Sequence, residues 1–413
     1  MNGAIWLKDH IVNGHILINE ENGTIDKIST MKILKHNQKQ PRINLKGKLI
    51  LPSFIDIHAH LRDFEESNKE TYEIAAHAAA VGGFTTVFDM PNKNPPINSS
   101  KRLKAVLEKA KKIEKVDIIP YILLSEKTEP ELLIKYPYVK AYLSSTTGGY
   151  ITDIRDIKEY LMKNLGHILS VHCEDLKKIQ QNAQKFPNTL ENHSKIRNAQ
   201  VEISAINELL KVRKRINTNT RVHIAHVSLS VSIGLIKSNK LSFEVTPHHL
   251  TLNNKDFLQL GVKGKMNPPL RQKKEQEKLW NSFLQGNIPI VSTDHAPHTL
   301  EEKVEAELSG VPGLETCLPV LLDKLQPMTQ QKLSLIVDTL AVNPRRLMNL
   351  PEKGIISEKE PANLTIVDLS MKKRIKRENL KTKCKWSPWE GIELQGWPVL
   401  TIKEGKITFN GLL

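Results

Sequence analysis

The ten residues Phe54–Asp63, FIDIHAHLRD, set the reading of this chain. Apolar and polar residues alternate until His58 and His60 close the run, with Arg62 two positions further on. Side chains on a β-strand alternate between its faces, so Asp56, His58 and His60 share one face while Ile55, Ile57 and Ala59 share the other. The apolar face can pack beneath helices. The polar face must look into something that takes nitrogen ligands.

Working outward, seven more strand-like runs follow, at 84–90, 117–123, 138–143, 168–172, 221–226, 242–247 and 288–294. Helical patterns separate them, among them KETYEIAAHAAAVG, which stops at Gly82–Gly83, and the long SKIRNAQVEISAINELLKVRKR. Eight strands alternating with helices over ~250 residues predict an α/β fold, a (β/α)8 TIM-type barrel. Both ends differ from this middle. Short strand-like pieces such as GHILINE near the start and VLTIKEGKITFNG near the end predict a small β-sandwich domain built from 1–50 and 355–413, flanking a barrel at 51–354.

A barrel of this kind carries its functional groups at the carboxyl ends of its strands. There the first strand delivers His58 and His60, with Arg62 in the loop after it. The second, FTTVFDMPN, leaves Asn92 at its exit, and the fourth, YVKAYL, holds Lys140 inside an apolar run. The fifth and sixth end at His172 and His226, and the eighth, IPIVSTDHAPH, brings Asp294 with His298 just beyond. Four histidines and one aspartate exceed what one tetrahedral ion needs, so two metals are expected. Two ions about 3.5–4 Å apart need a bridging anion. A lysine carboxylated on its side-chain nitrogen supplies one, which accounts for Lys140 where a bare charge would be expensive. Each residue alone has a plainer reading: a histidine in the core, a lysine reaching to the surface, an aspartate capping a helix. One architecture that predicts all six positions together is what favours a metal site.

Composition adds bounds. The chain has 413 residues, 39% hydrophobic and 25% charged, as in ordinary soluble proteins. No apolar run has the length of a membrane span and the start lacks signal-peptide patterning, so no membrane association and a cytoplasmic location are expected. Three widely spaced cysteines, Cys173, Cys317 and Cys384, imply no disulfide framework. The net charge of +15 is spread over patches such as KKIEK, KVRKR and MKKRIKR, without nucleic-acid-binding motifs, so it reads as a lysine-rich surface and no nucleic-acid partner is expected.

The ordered series DIHAHLRD (56–63), GGFTTVFDMPNKNPP (82–96), VKAYLSSTTGG (139–149), VHCED (171–175), HIAHVS (223–228), EVTPHHL (244–250), KMNPPLR (265–271), STDHAPHTLEEK (292–303), GVPGLET (310–316) and KWSPWEG (385–391) resembles the amidohydrolase superfamily, and within it the dihydroorotases. The resemblance implies two Zn2+ ions. One would be held by His58, His60 and Asp294 and the other by His172 and His226, with carboxylated Lys140 and a hydroxide between them. Asp153 is the rival for Lys140, since some relatives use an aspartate, although its place reads as a helix cap. The resemblance further implies that His60, Arg62, Asn92, Asn267, His298 and the backbone at Pro312–Gly313 contact substrate. Thr146 would reach it from a mobile lid at 144–151. The implied reaction is the reversible cyclisation of N-carbamoyl-L-aspartate to dihydroorotate in pyrimidine biosynthesis, with Asp294 as general base and then general acid. Family habit adds a homodimer and an aspartate transcarbamoylase partner. Alternatives are an allantoinase or hydantoinase, which differ where this chain has Arg62 and MPN, and a catalytically inactive scaffold for the transcarbamoylase. Ser53 stands where the family commonly has glycine.

Overall fold

The computed structural model describes residues 1–30, 42–146, 148–352 and 354–412. Eight parallel strand positions form the barrel: β5 (Phe54–Ala59), β6 (Phe84–Asp89), β7 and β8 (Asp117–Pro120 and Ile122–Leu123, one position interrupted at Tyr121), β9 (Tyr138–Tyr142), β10 (Ile168–His172), β11 (Arg221–Ile224), β12 (Ser242–Val245) and β13 (Ile290–Val291). The ring closes between the eighth position and the first, where Ala59 bridges His295 and the His60 amide donates to the His295 carbonyl at 2.6 Å. Every residue of β5, β6 and β10 is buried, as expected of strands covered on both faces.

The late strands are shorter than the apolar pattern predicts. Strand β11 stops two residues before His226, and β13 three before Asp294. Both residues adopt positive φ, +37° and +46°, which no extended strand accommodates. Their side chains are therefore presented from turns. The long helical pattern also breaks, at Arg197–Asn198, where Asn198 caps the helix Ala199–Lys214.

Strands from both chain ends join in one seven-stranded sheet. Its N-terminal members are β1 (Asn2–Leu7), β2 (His10–Asn19), β3 (Thr24–Ser29) and β4 (Asn44–Pro52). Its C-terminal members are β14 (Leu364–Arg374), β15 (Glu393–Lys403) and β16 (Lys406–Asn410), and β14 pairs antiparallel with β4. The fold is thus α/β, a (β/α)8 barrel with a small β domain drawn from the two termini. We propose 1–50 and 355–413 as that domain, although β4 runs on to Pro52.

The helix Tyr72–Val81 lies between barrel and sheet, and its small residues Ala75, Ala76, Ala78, Ala79 and Ala80 are all buried. The Thr401 hydroxyl of β15 donates to the Ala80 carbonyl at 2.7 Å. At Gly82 a Cβ would stand 2.1 Å from the Leu314 carbonyl oxygen, so only glycine fits that crossing. Ser53, at the passage from β4 into β5, uses its hydroxyl: it pairs with Thr85 Oγ1 at 2.6 Å and accepts from buried Arg345 at 3.0 Å.

Candidate metal centre and active site

The first strand sets one half of the site. Asp56 is wholly buried and takes the Thr293 amide at 3.0 Å and the Thr293 hydroxyl, tying β5 to the chain just before Asp294. Burial raises its carboxyl to about 7. As a result the Nε2 atoms of His58 and His60 face one oxygen, Oδ1 of Asp294, at 3.3 and 3.2 Å. Donor atoms of these three residues all lie within 4.8 Å of one another. The remote nitrogens are occupied: Nδ1 of His60 pairs with Oδ1 of Asn92 at 2.8 Å, and Nδ1 of His58 with the Glu244 carboxylate.

The other half comes from the fifth and sixth strand positions. Nδ1 of His172 and Nε2 of His226 stand 2.8 Å apart, and Nε2 of His172 pairs with Oε2 of Glu174 at 3.0 Å. Buried Nδ1 of His226 has no hydrogen-bond partner among the described residues. Burial lowers His58, and lowers His60 and His226 well below the ordinary imidazole value, leaving neutral rings with a lone pair to offer. Lys140 is 0% exposed, and burial lowers it to about 8 against the pull of Glu244 and Asp294. Neutral imidazoles, a carboxylate and a desolvated amine, crowded at the carboxyl ends of barrel strands, fit one or two zinc-type ions.

The four histidines and Asp294 border a half-open cavity lined by His58, His60, Arg62, Asn92, Tyr142, Thr146, His172, His226, Asn267, Asp294, Ala296, Ser309 and Gly310. Arg62 is held from several sides. Its Nε donates to the Pro297 carbonyl at 3.2 Å and its guanidinium to Nε2 of His298 at 3.2 Å. Buried Lys93, ion-paired with Asp89 at 2.8 Å, donates to the Arg62 carbonyl. Arg62, Asp63 and Phe64 all have positive φ, a strained run that Asp63 braces by accepting the Tyr72 amide and the Lys109 ammonium.

Other expected residues lie elsewhere. Lys140 is wholly buried and is not among the residues that line the cavity, and His298 stands behind Arg62, lowered by burial and by that guanidinium. Pro312 and Gly313 are not in the wall: the Gly313 amide donates to Nδ1 of His295 at 3.1 Å, and Ser309 and Gly310 line the cavity there. Asp153 caps the helix Ile154–Met162 and pairs with Arg155, away from the donors. In the segment at 144–151, Thr146 faces the cavity and the Tyr150 hydroxyl donates to the Lys93 carbonyl at 2.9 Å, while Thr147 lies outside the described residues.

Reading the sequence overlooked Glu244, Glu174 and Arg197, whose guanidinium pairs with Glu174. It also passed over Lys303, which donates to the carbonyls of Lys265, Leu308 and Gly310. For Glu244 a signal existed, the one that singled out Lys140: a charge inside an otherwise buried strand.

The sequence profile of the Amidohydrolase family matches residues 49–408. A dihydroorotase of Pyrococcus furiosus is 35% identical, with 99% of this chain and 92% of the relative covered. One of Pyrococcus abyssi is 37% identical (99% and 94%), and one of Geobacillus thermodenitrificans 30% (98% and 99%). Among solved structures, an L-hydantoinase of Arthrobacter aurescens superposes with a TM-score of 0.89 at 23% identity, covering 99% of this chain and 95% of that one. A D-hydantoinase of Thermus sp. gives 0.89 at 24% (99% and 94%), and at these identities the likeness speaks for the fold alone. The chain belongs to the amidohydrolase family.

Proposed function

We propose that the chain is a dihydroorotase, which cyclises N-carbamoyl-L-aspartate to dihydroorotate with loss of water and opens the ring in reverse. The observation that carries this reading is one cavity lined both by the strand-end donors and by Arg62, a fork for a carboxylate. The identity of the curated relatives supports it over the hydantoinases.

His58, His60 and Asp294 would hold one Zn2+ and His172 and His226 a second, with carboxylated Lys140 between them. Such ions, when bound, lower the pKa of water towards 7 and polarise the attacked carbonyl. The chain supplies the rest. Arg62, backed by His298, and Asn92 bind the substrate carboxylate and so fix which ring carbonyl faces the donors. Asp294 accepts the proton of the attacking water and passes it to the leaving ring nitrogen, base and then acid. Asn267 and Thr146 extend the wall of the cavity, and we assign Thr146 a substrate contact on a lid at 144–151. We assign the backbone at Pro312–Gly313 a part in the substrate site, steadied by the Gly313 amide bond to His295.

The test offers dihydroorotate, allantoin and hydantoin separately to protein supplied with zinc and bicarbonate, beside Lys140→Ala and Asp294→Ala. Dihydroorotate turnover lost in both variants supports the reading. Turnover of hydantoin or allantoin alone transfers the chain to those relatives, and none at all with zinc bound makes it an inactive scaffold. No helix among the described residues is long and apolar enough to cross a membrane. We propose a cytoplasmic homodimer able to associate with an aspartate transcarbamoylase, to be tested by light scattering with and without that enzyme.

A further inference from the structure

Glu244 lies on β12, the seventh strand position, and is 1% exposed. A carboxylate there is costly unless its oxygens are taken up. Both are. Oε1 meets Nδ1 of His58 and accepts the main-chain amide of His226 at 3.4 Å, while Oε2 meets Nε2 of His223 at 3.1 Å. His223 is fixed in turn, its Nδ1 standing 3.1 Å from the Ser242 hydroxyl. One side chain thus touches a member of each half of the donor set, the His58 ring and the backbone that turns His226 at positive φ.

We infer that Glu244 is a positioning residue for the metal centre, fixing the tautomer of His58 and the place of His226; this rests on the metal-dependent reading above. The chemistry is direct. A proton on Nδ1 of His58 is donated to Glu244, which leaves the Nε2 lone pair aimed at the space shared with Asp294. The negative charge behind the ring also makes that nitrogen a better donor. His223 acts one step further back: with Nε2–H given to Glu244 and the ring flanked by the Ser242 hydroxyl, it holds the carboxylate against His58. Glu244 touches no cavity surface, so it acts only through the ligands.

Titration of the metal-free protein with Co2+, followed by visible absorption, tests this without any turnover. Glu244→Gln keeps the shape and removes the charge; Glu244→Leu removes the acceptor. The expected result is Co2+ binding weakened about 10-fold in the first and about 100-fold in the second, with an altered ligand-field spectrum. Glu315→Gln, a buried carboxylate that instead accepts the amides of Lys381 and Thr382, is the control and leaves the Co2+ titration unchanged. If Glu244→Leu fails to fold, the isosteric Gln variant decides. Folded Glu244→Gln with the affinity and spectrum of the unaltered protein overturns the inference and leaves the metal reading standing. An unaltered protein that takes up no Co2+ overturns both.

Discussion

The Nζ of Lys140, wholly buried on the fourth barrel strand, stands 3.3 Å from the hydroxyl of Ser170 on the fifth. That bond and the pull of Glu244 and Asp294 do not fully offset an ammonium charge taken out of water, since burial still lowers the amine to about 8. Carboxylation replaces that ammonium with an anion that positive ions can hold. Native mass spectrometry in bicarbonate is therefore expected to find one added CO2 on the chain, absent from Lys140→Met. That variant should lose activity by about 10³-fold or more, yet its metal-free form should be as stable to urea as the unaltered protein or more so, because an apolar side chain of similar length removes a buried charge. A marked loss of stability would mean that the amine itself is structural.

Arg62 is not exchangeable for lysine. Its guanidinium is fixed by the Pro297 carbonyl and His298 while its own carbonyl takes the Lys93 ammonium, so its planar fork is pre-aimed. Arg62→Lys keeps the charge and loses the second parallel bond to a substrate carboxylate. That costs about 1.5–3 kcal/mol, or roughly 10- to 150-fold in KM for dihydroorotate, with a smaller effect on kcat. Hydantoin, which lacks the carboxylate, provides the comparison, and equal losses for both substrates would remove Arg62 from recognition.

The barrel was legible because its strands obey a simple physical code. Ile55 and Ile57 alternate with Asp56 and His58, and a charge as conspicuous as Lys140 in YVKAYL has few reasons to be buried. What stayed hidden depends on partners far away in sequence. Glu244 gains meaning only from His58, 186 residues distant, and Glu174 only from a guanidinium released by the helix break at Arg197. That break cannot be read from apolar periodicity, since SKIRNAQVEIS satisfies a helix on both sides of it. The positive φ of His226 and Asp294 is likewise invisible in the sequence, since neither is a glycine and each leaves its strand early only in the folded chain. The family resemblance points to Pro312 and Gly313 as substrate contacts; the bond of the Gly313 amide to His295 and the place of Ser309 and Gly310 in the cavity lining have no counterpart in the sequence pattern.

That wall hangs on Lys303. Its Nζ is shared by the carbonyls of Lys265, Leu308 and Gly310 at 2.9, 2.7 and 3.0 Å. Lys303→Met takes the donor from the Leu308 and Gly310 carbonyls beside the cavity, while the Lys265 carbonyl keeps the Gly310 amide at 2.9 Å, and should cost about 2–4 kcal/mol of stability. At temperatures where the variant is folded, KM should rise, because the Leu308–Gly310 turn then hangs on the Gly310 amide bond to Lys265 without the ammonium. Urea melts together with KM separate the two effects, and an unchanged KM would show that the wall is held by its other contacts.

His193 supplies a pH dependence that lies outside the donor set. Its Nε2 donates to the Met266 carbonyl at 2.9 Å, next to cavity-lining Asn267. Burial lowers it to about 4, assisted by Arg197 and Lys265 and opposed by the Met266 carbonyl and Glu174. In the unfolded chain the ring has its ordinary value near 6.5, so between these values the unfolded state binds the additional proton. The stability owed to neutral His193 is complete above about pH 6.5 and is lost as pH falls towards 4. At about 1.36 kcal/mol per unit, this amounts to at most about 3 kcal/mol. His193→Gln keeps a donor for Met266 and removes the titration. Urea midpoints at pH 7.5 and 4.5 should therefore fall less in the variant than in the unaltered protein, and an equal fall in both would show that His193 is already free to protonate in the folded chain.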